Sequence, residues 1–273
     1  MDRLPPSGML RVAGQELEYR LIGAEPCDRA TIVMLHEGLG SLGQWRDFPE
    51  RLAAATGASV FAYSRAGYGA SSPAKLPRKL TYMHEEASSV LPELLDKIGF
   101  RRGLLLGHSD GASIATLYAG SVEDHRIRGL VLIAPHFVVE KTGLAAIARS
   151  KIAYEQGDLK KRLARWHKQV DDAFHGWNDA WLDEGFKSWD ISEVLGYIRV
   201  PIEIVQGEND QYGTIRQIEV AREECYCPVE VRLIPGIGHS PQREAPDLTL
   251  EAVAEFSKRL LRDHGEGVLP RAA

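Results

Sequence analysis

One stretch constrains the fold more than any other: Leu104-Leu105-Leu106-Gly107-His108-Ser109-Asp110-Gly111-Ala112-Ser113-Ile114-Ala115. An apolar run stops at Gly107, Ser109 stands between two glycines, and a helix-like segment of small and apolar residues follows. The pattern reads as a strand, a tight turn and a helix, with the serine held at strained backbone angles and its hydroxyl projecting above a sheet. Both flanking positions need glycine, because a Cβ at either would collide with the neighbouring strand or helix. The bare spacing is not specific: chance gives roughly 0.15 occurrences of G-x-S-x-G in a chain with this much glycine and serine. Its context is what counts. An apolar strand precedes it, a helix follows it, and a candidate acid and histidine come later in the order Ser, Asp, His.

Other strand-like runs alternate with helix-like segments. Leu10 to Val12 and Glu16 to Leu21 read as an opening antiparallel pair. Thr31 to Leu35, Ser59 to Tyr63, Leu104 to Leu106, Gly129 to Ala134, Ile202 to Gln206 and Val229 to Ile234 are short apolar strands. Helices are expected over Gln44 to Thr56, Thr81 to Ile98 with Thr81 as N-cap, the turn after Ser109 to about Gly120, and Asp247 to Leu261. Continuous apolar strands between helices imply an α/β fold, with a mostly parallel sheet flanked by helices on both faces. The tail His264 to Ala273 reads as frayed.

The rhythm breaks between about Phe137 and Arg199. This part is helical in character and holds Trp166, Trp177, Trp181 and Trp189, four of the five tryptophans, with Tyr154, Phe174 and Phe186. It lies between two strands at the carboxyl edge of the sheet, where open α/β sheets bind ligands. We read residues 137–199 as a helical cap inserted late in the sheet, with 1–136 and 200–273 forming the core. Most of its aromatics are expected to pack the cap onto the core, and Trp177 and Trp181 to face substrate.

A length of 273 residues suits one α/β domain with an insertion. A net charge of -5 and a pI near 6.0 argue against a nucleic-acid partner. No run of about 18 apolar residues is present, so no membrane partner is expected. Met1-Asp2-Arg3-Leu4-Pro5-Pro6 lacks an apolar signal core, and a cytoplasmic location is the expectation. Cys27, Cys225 and Cys227 fit reduced, structural thiols, since no partners at zinc spacing accompany them.

A serine hydroxyl is a weak nucleophile at neutral pH and needs a base within hydrogen-bond reach. Histidine suits that task, because its pKa lies near working pH. Among nine histidines His239 is best placed: Gly236-Ile237-Gly238-His239-Ser240-Pro241 follows a strand as a loop able to carry an imidazole over Ser109. A carboxylate must orient that imidazole. Gly207-Glu208-Asn209-Asp210 leaves another strand; Asp210 is the choice and Glu208 the rival. His36 is expected to anchor a loop through the backbone, His108 to pack within the turn, and His136 to line the pocket, while His167 and His175 fall in the cap. Ser64-Arg65-Ala66-Gly67-Tyr68-Gly69-Ala70-Ser71 is glycine-rich, but no lysine and helix N-terminus follow as a phosphate loop demands. We see neither a metal cluster nor a dinucleotide fingerprint.

These features resemble the serine hydrolases of the α/β-hydrolase fold, in their capped, esterase- and lipase-like branch. The resemblance rests on His36-Glu37-Gly38-Leu39-Gly40-Ser41, Gly107-His108-Ser109-Asp110-Gly111, Gly207-Glu208-Asn209-Asp210 and Gly238-His239-Ser240-Pro241, and runs from about Leu10 to Leu261. It implies a Ser109–His239–Asp210 triad, an oxyanion hole from the backbone N–H groups of Gly38 and Asp110, and no cofactor. The chain departs from the common pattern at Glu37, where many relatives carry glycine. The elbow is also similar to that of amino-acid ester hydrolases of the valacyclovir-cleaving type, in which the acid after the serine meets the substrate's amino group. If Glu37 and Asp110 both point into the pocket, they attract a cation; if they bond backbone or water, they only shape the loop.

The expected reaction is hydrolysis of a small to medium carboxylic ester, with a small ester-like molecule as the partner. Lactone opening or carbon–carbon cleavage on the same triad, acyl transfer, and a non-catalytic ligand-binding role are the competing readings. The oligomeric state is left open by the sequence.

Overall fold

The computed structural model describes residues 3–262; the tail His264 to Ala273 lies outside the described residues. Eight strands form one sheet: β1 (Ser7–Val12), β2 (Gln15–Ile22), β3 (Thr31–Leu35), β4 (Ser59–Tyr63), β5 (Gly103–His108), β6 (Ile127–Ile133), β7 (Ile202–Gly207) and β8 (Val229–Ile234). Their order is β1-β2-β4-β3-β5-β6-β7-β8. β1 and β2 form a hairpin whose turn residues Ala13 and Gly14 both have positive φ, as a tight hairpin turn requires. β2 lies antiparallel to β4, and every later pairing is parallel. The strand order reverses between β3 and β5, so the loops leaving their carboxyl ends diverge and open a crevice there. One of those loops begins at His36 and the other at Ser109.

Alternate strand residues feed two cores, one on each face. Val33, Leu35, Phe61, Leu105, Leu130 and Ile204 meet the helices Leu91–Lys97, Asp110–Ser121 and Ile215–Glu224. Ile32, Met34, Val60, Leu106, Val131 and Val205 meet the helices Phe48–Thr56 and Pro246–Leu261. Fully burying one such aliphatic side chain stabilises by about 1.5–3 kcal/mol, and this places both helical layers.

Two expected helices are interrupted. Gln44 to Thr56 splits at Arg46, whose φ of 55° no right-handed helix accepts, into a 3-10 turn Leu42–Trp45 and the helix from Phe48. Thr81 to Ile98 contains a π turn at Glu86–Val90. Pro92 accounts for that, having no N–H to donate one turn back and a ring that excludes the carbonyl there. Thr81 makes no cap bond, and its hydroxyl instead donates to Glu85 at 3.2 Å.

Between β6 and β7 the chain leaves the sheet and forms the helices Lys141–Gln156, Leu159–Leu163 and Val170–Leu182, a 3-10 turn Glu184–Ser188 and a short helix Ser192–Leu195. An isolated bridge from Val138 to Asp190 ties its ends. Ile147, Phe174, Trp177, Trp181 and Trp189 merge with the core on the first face of the sheet, so this excursion has no separate core. No helix of the described residues is long and apolar enough to cross a membrane.

Candidate active site

Ser109 follows β5 with φ 53° and ψ −118°, a left-handed conformation that costs a non-glycine residue of order 1–3 kcal/mol. Close packing enforces it. A Cβ on Gly107 would fall 2.3 Å from the Gly111 carbonyl oxygen, and one on Gly111 would fall 2.1 Å from that of Leu35. Strand, turn and helix therefore touch backbone to backbone. The Ser109 N–H donates to Ile133 O at 2.9 Å, which ties the turn to β6.

Two distant loops converge on this hydroxyl. His239 Nε2 lies 3.0 Å from Ser109 Oγ. His239 Nδ1 lies 2.9 and 2.8 Å from the two Asp210 carboxylate oxygens. Nδ1 therefore carries the proton, and Nε2 presents its lone pair to the serine O–H. Asp210 also accepts from Gln206 Nε2 at 2.8 Å, Tyr212 N at 2.8 Å and Gly213 N at 3.2 Å. Burial would raise its pKa, but His239 and the Tyr212 N–H hold it below the usual carboxylate value. Glu208, the rival acid, is exposed at the end of β7. Such an array can draw a proton from Ser109 Oγ while the carboxylate stabilises the imidazolium that forms.

A cavity of about 500 Å3 opens above Ser109 and is lined by Glu37, Gly38, Asp110, His136, Trp177 and Trp181 among others. Asp110 begins the helix after Ser109, so its N–H precedes the helical ladder, and among the described residues neither it nor the Gly38 N–H meets a protein acceptor. His136 is buried with its ring centroid 5.5 Å from His239 and 5.3 Å from Trp181. Burial, then the proximity of His239, lowers its pKa to about 3, so it is neutral near pH 7. Its backbone carbonyl accepts from Ser113 Oγ at 2.7 Å.

The two acids do not stand free in the cavity. The Asp110 carboxylate is fully buried, accepts from the Tyr82 hydroxyl and from Trp181 Nε1 at 3.3 Å, and faces Arg65 at 4.0 Å. Burial still raises its pKa against the pull of Arg65. Glu37 lies 3.3 Å from His108 Nδ1 and 3.5 Å from Arg243. Burial works against its ionisation, but His108 and Arg243 hold it well below the usual carboxylate range. Of the two arrangements the sequence leaves open for these acids, the structure has neither carboxylate free in the cavity: both are paired with protein side chains.

Of the residues that hold these loops, Arg65 and His167 carry no signal for that role in the sequence. Buried Arg65 donates to the carbonyl oxygens of His36 at 2.8 Å and Glu37 at 3.1 Å, bracing the loop after β3. His36 accepts from Arg65 N at 3.0 Å and lies 2.7 Å from its neighbour's carbonyl, the backbone anchoring expected of it. His108 Nε2 lies 2.7 Å from the His239 carbonyl and its Nδ1 2.9 Å from Gln242 Nε2. His167, from the excursion, accepts from Gly69 N at 3.0 Å and donates to Leu39 O at 3.0 Å, pinning that layer to the same loop. Trp166 joins Trp177 and Trp181 along the cavity, whereas Trp189 stacks on Phe186 at 5.4 Å. No local pattern marks Arg65 or His167, since their partners lie far away in sequence.

A family model described as the alpha/beta hydrolase family matches residues 32–252, from β3 into the last helix. The chain belongs to the alpha/beta hydrolase family. Among curated relatives, a proline iminopeptidase of Lactobacillus helveticus is 30% identical over 126 residues, 46% of this chain and 42% of that protein. The match thus spans less than half the iminopeptidase. Putative esterase/lipase 2 of Mycoplasma pneumoniae is 26% identical over 234 residues, 75% of this chain and 81% of that one. Among solved structures, the enol-lactonase of Burkholderia xenovorans LB400 superposes with a TM-score of 0.69 at 20% identity, covering 91% of this chain and 99% of that chain. That likeness shows the hydrolase fold alone.

Proposed function

We propose that this chain is a serine hydrolase of carboxylic esters acting through Ser109, His239 and Asp210. The observation that carries the reading is the unbroken relay from Ser109 Oγ through His239 to Asp210, with links of 3.0 and 2.8 Å, at the floor of an open cavity. In the proposed reaction Ser109 Oγ attacks the acyl carbonyl carbon as His239 Nε2 takes its proton. The carbonyl oxygen becomes an oxyanion facing the N–H groups of Gly38 and Asp110. Collapse breaks the bond to the leaving alkoxide, which takes the proton from His239. Water, deprotonated by the same imidazole, then attacks the acyl carbon; collapse breaks the bond to Ser109 Oγ, which takes the proton from His239, and the acid leaves. Each well-placed oxyanion donor is worth about 3–4 kcal/mol of barrier. The excursion, residues 137–199, serves as the cap: Trp177 and Trp181 wall the cavity with apolar surface and limit its water. A lactone is the same substrate with its leaving oxygen tethered, and an acyl acceptor other than water would make the enzyme a transferase.

The test is hydrolysis of p-nitrophenyl esters from acetate to octanoate by wild type and Ser109→Ala. Wild-type turnover that the variant loses by at least about 10³-fold supports the reading. Turnover of similar rate in both proteins overturns it. A fluorophosphonate probe that labels wild type and leaves Ser109→Ala unlabelled places the reactive nucleophile independently of substrate choice.

A further inference from the structure

The charges at the opening of the cavity are lopsided. The lining residues that are exposed to solvent mark its opening, and four of them are arginines: Arg46, Arg162, Arg165 and Arg243. They come from three separate parts of the chain. Arg46 ends the 3-10 turn after the Gly38 loop, Arg162 and Arg165 belong to the excursion, and Arg243 follows His239 by four residues. These parts meet tightly, since a Cβ on Gly43 would fall 3.0 Å from the Trp166 ring. Arg46 also adopts φ 55°, a conformation an arginine rarely takes.

The acids that line the cavity are occupied. Asp110 is closed off by Tyr82 and Trp181, and Glu37 is shared between His108 and Arg243. Glu244 accepts from the backbone N–H groups of Gly238 at 2.9 Å and Ser240 at 3.0 Å. Arg162 has an exposed partner in Asp158 at 3.4 Å. Among the described residues, the Arg46 and Arg165 guanidinium groups meet no acceptor at all. Trp177, Trp181 and Ile147 add apolar surface to the same cavity, against which an unpaired charge is costly.

We propose that this opening is an anion-binding subsite, and that the ester cleaved at Ser109 carries an anionic oxygen group, carboxylate or phosphate, away from the scissile bond. The proposal rests on the reading of Ser109 as nucleophile. The apolar surface takes the acyl chain and the planar forks of Arg46 and Arg165 take the anion, for which guanidinium geometry is suited.

The experiment compares two esters of equal acyl length, p-nitrophenyl hemiglutarate and p-nitrophenyl valerate. At low salt the hemiglutarate is expected to exceed the valerate in kcat/KM by roughly tenfold, since each exposed charge pair is worth a few-fold. The preference shrinks toward one in about 0.5 M NaCl, where screening is strong. An Arg46→Ala/Arg165→Ala double variant loses that preference, whereas Lys161→Ala, which removes a charge outside the cavity, keeps it. A wild-type ratio of one or less, or a ratio the double variant does not change, overturns the proposal. If Ser109-dependent valerate hydrolysis persists at such a ratio, the hydrolase reading stands and the subsite alone fails. If neither ester turns over, the hydrolase reading fails for them and tryptophan fluorescence reads the subsite. Saturable quenching by glutarate or by inorganic phosphate, absent with neutral glutaramide and lost in the double variant, supports it and tells the two anions apart. No saturation with either anion overturns it.

Discussion

Gly38 and Trp177 compete for one volume: a Cβ on Gly38 would lie 2.2 Å from both Cδ1 and Nε1 of the Trp177 indole. The loop after β3 and the helix Val170–Leu182 are therefore in backbone-to-ring contact over the cavity. The absence of a side chain at Gly38 lets the excursion close down on the loop while leaving the Gly38 N–H open.

Gly38→Ala tests that contact. The added methyl displaces the indole or the loop, and kcat/KM for a p-nitrophenyl ester should fall about 10²-fold, as a shift of an ångström at a reacting centre costs. Near-ultraviolet circular dichroism should show altered tryptophan packing without loss of the fold. Truncating the ring as well, in Gly38→Ala/Trp177→Ala, should restore part of the loss. Full activity in the single variant would show that the contact with Trp177 does not set the position of the Gly38 loop.

Asp210→Asn keeps the shape of the relay and reverses its electrostatics. An amide in place of the carboxylate disfavours the tautomer with the proton on Nδ1 and leaves the imidazolium unsupported. Turnover should fall about 10⁴-fold while KM changes little. Steady-state kinetics with an active-site titration checks this.

Arg65 and Asp110 form a buried pair at 4.0 Å beneath the Gly38 loop. Arg65→Met removes two bonds to loop carbonyls and strands the Asp110 charge, and should destabilise by about 3–5 kcal/mol. Adding Asp110→Asn to that background removes the stranded charge and should recover a substantial part. Urea unfolding of the four proteins in the cycle gives the coupling, and purely additive effects would show that the pair does not interact.

Glu203 makes stability depend on pH. It is buried within β7 with one carboxylate oxygen unpartnered, and burial, opposed by Arg232, raises its pKa from 4.5 to about 7. Its proton is held more tightly in the native chain, so between pH 4.5 and about 7 stability falls as pH rises. Glu203→Gln abolishes the ionisation and should raise Tm by several degrees at pH 8, from a gain on the order of 3 kcal/mol at most, and change Tm little at pH 4.5. Calorimetry at the two pH values decides, and an equal effect at both would refute the assignment.

Much of this chain can be read locally. The central strands β3 to β7 showed as largely apolar runs, because a strand covered on both faces has no polar side. The turn at Ser109 showed because two backbones cross within 2.3 Å of where a side chain would be, and only glycine permits that. Two helices read as continuous are broken, at Arg46 and ahead of Pro92, where backbone geometry overrides an apolar periodicity that runs straight through.

The sequence by itself determined the sheet, its helical layers, the late excursion and the order in which serine, acid and histidine leave the strands, because each depends on neighbours a few residues apart. Only the tertiary structure decided which charges act on the cavity. Glu37 and Asp110 look like free acids in the sequence, yet His108, Arg243, Tyr82 and Trp181 satisfy them, while Arg46 and Arg165, distant from every motif, stand unpaired at the opening. A charge's effect depends on what lies within a few ångströms of it, and for these groups those neighbours come from segments far apart in the chain.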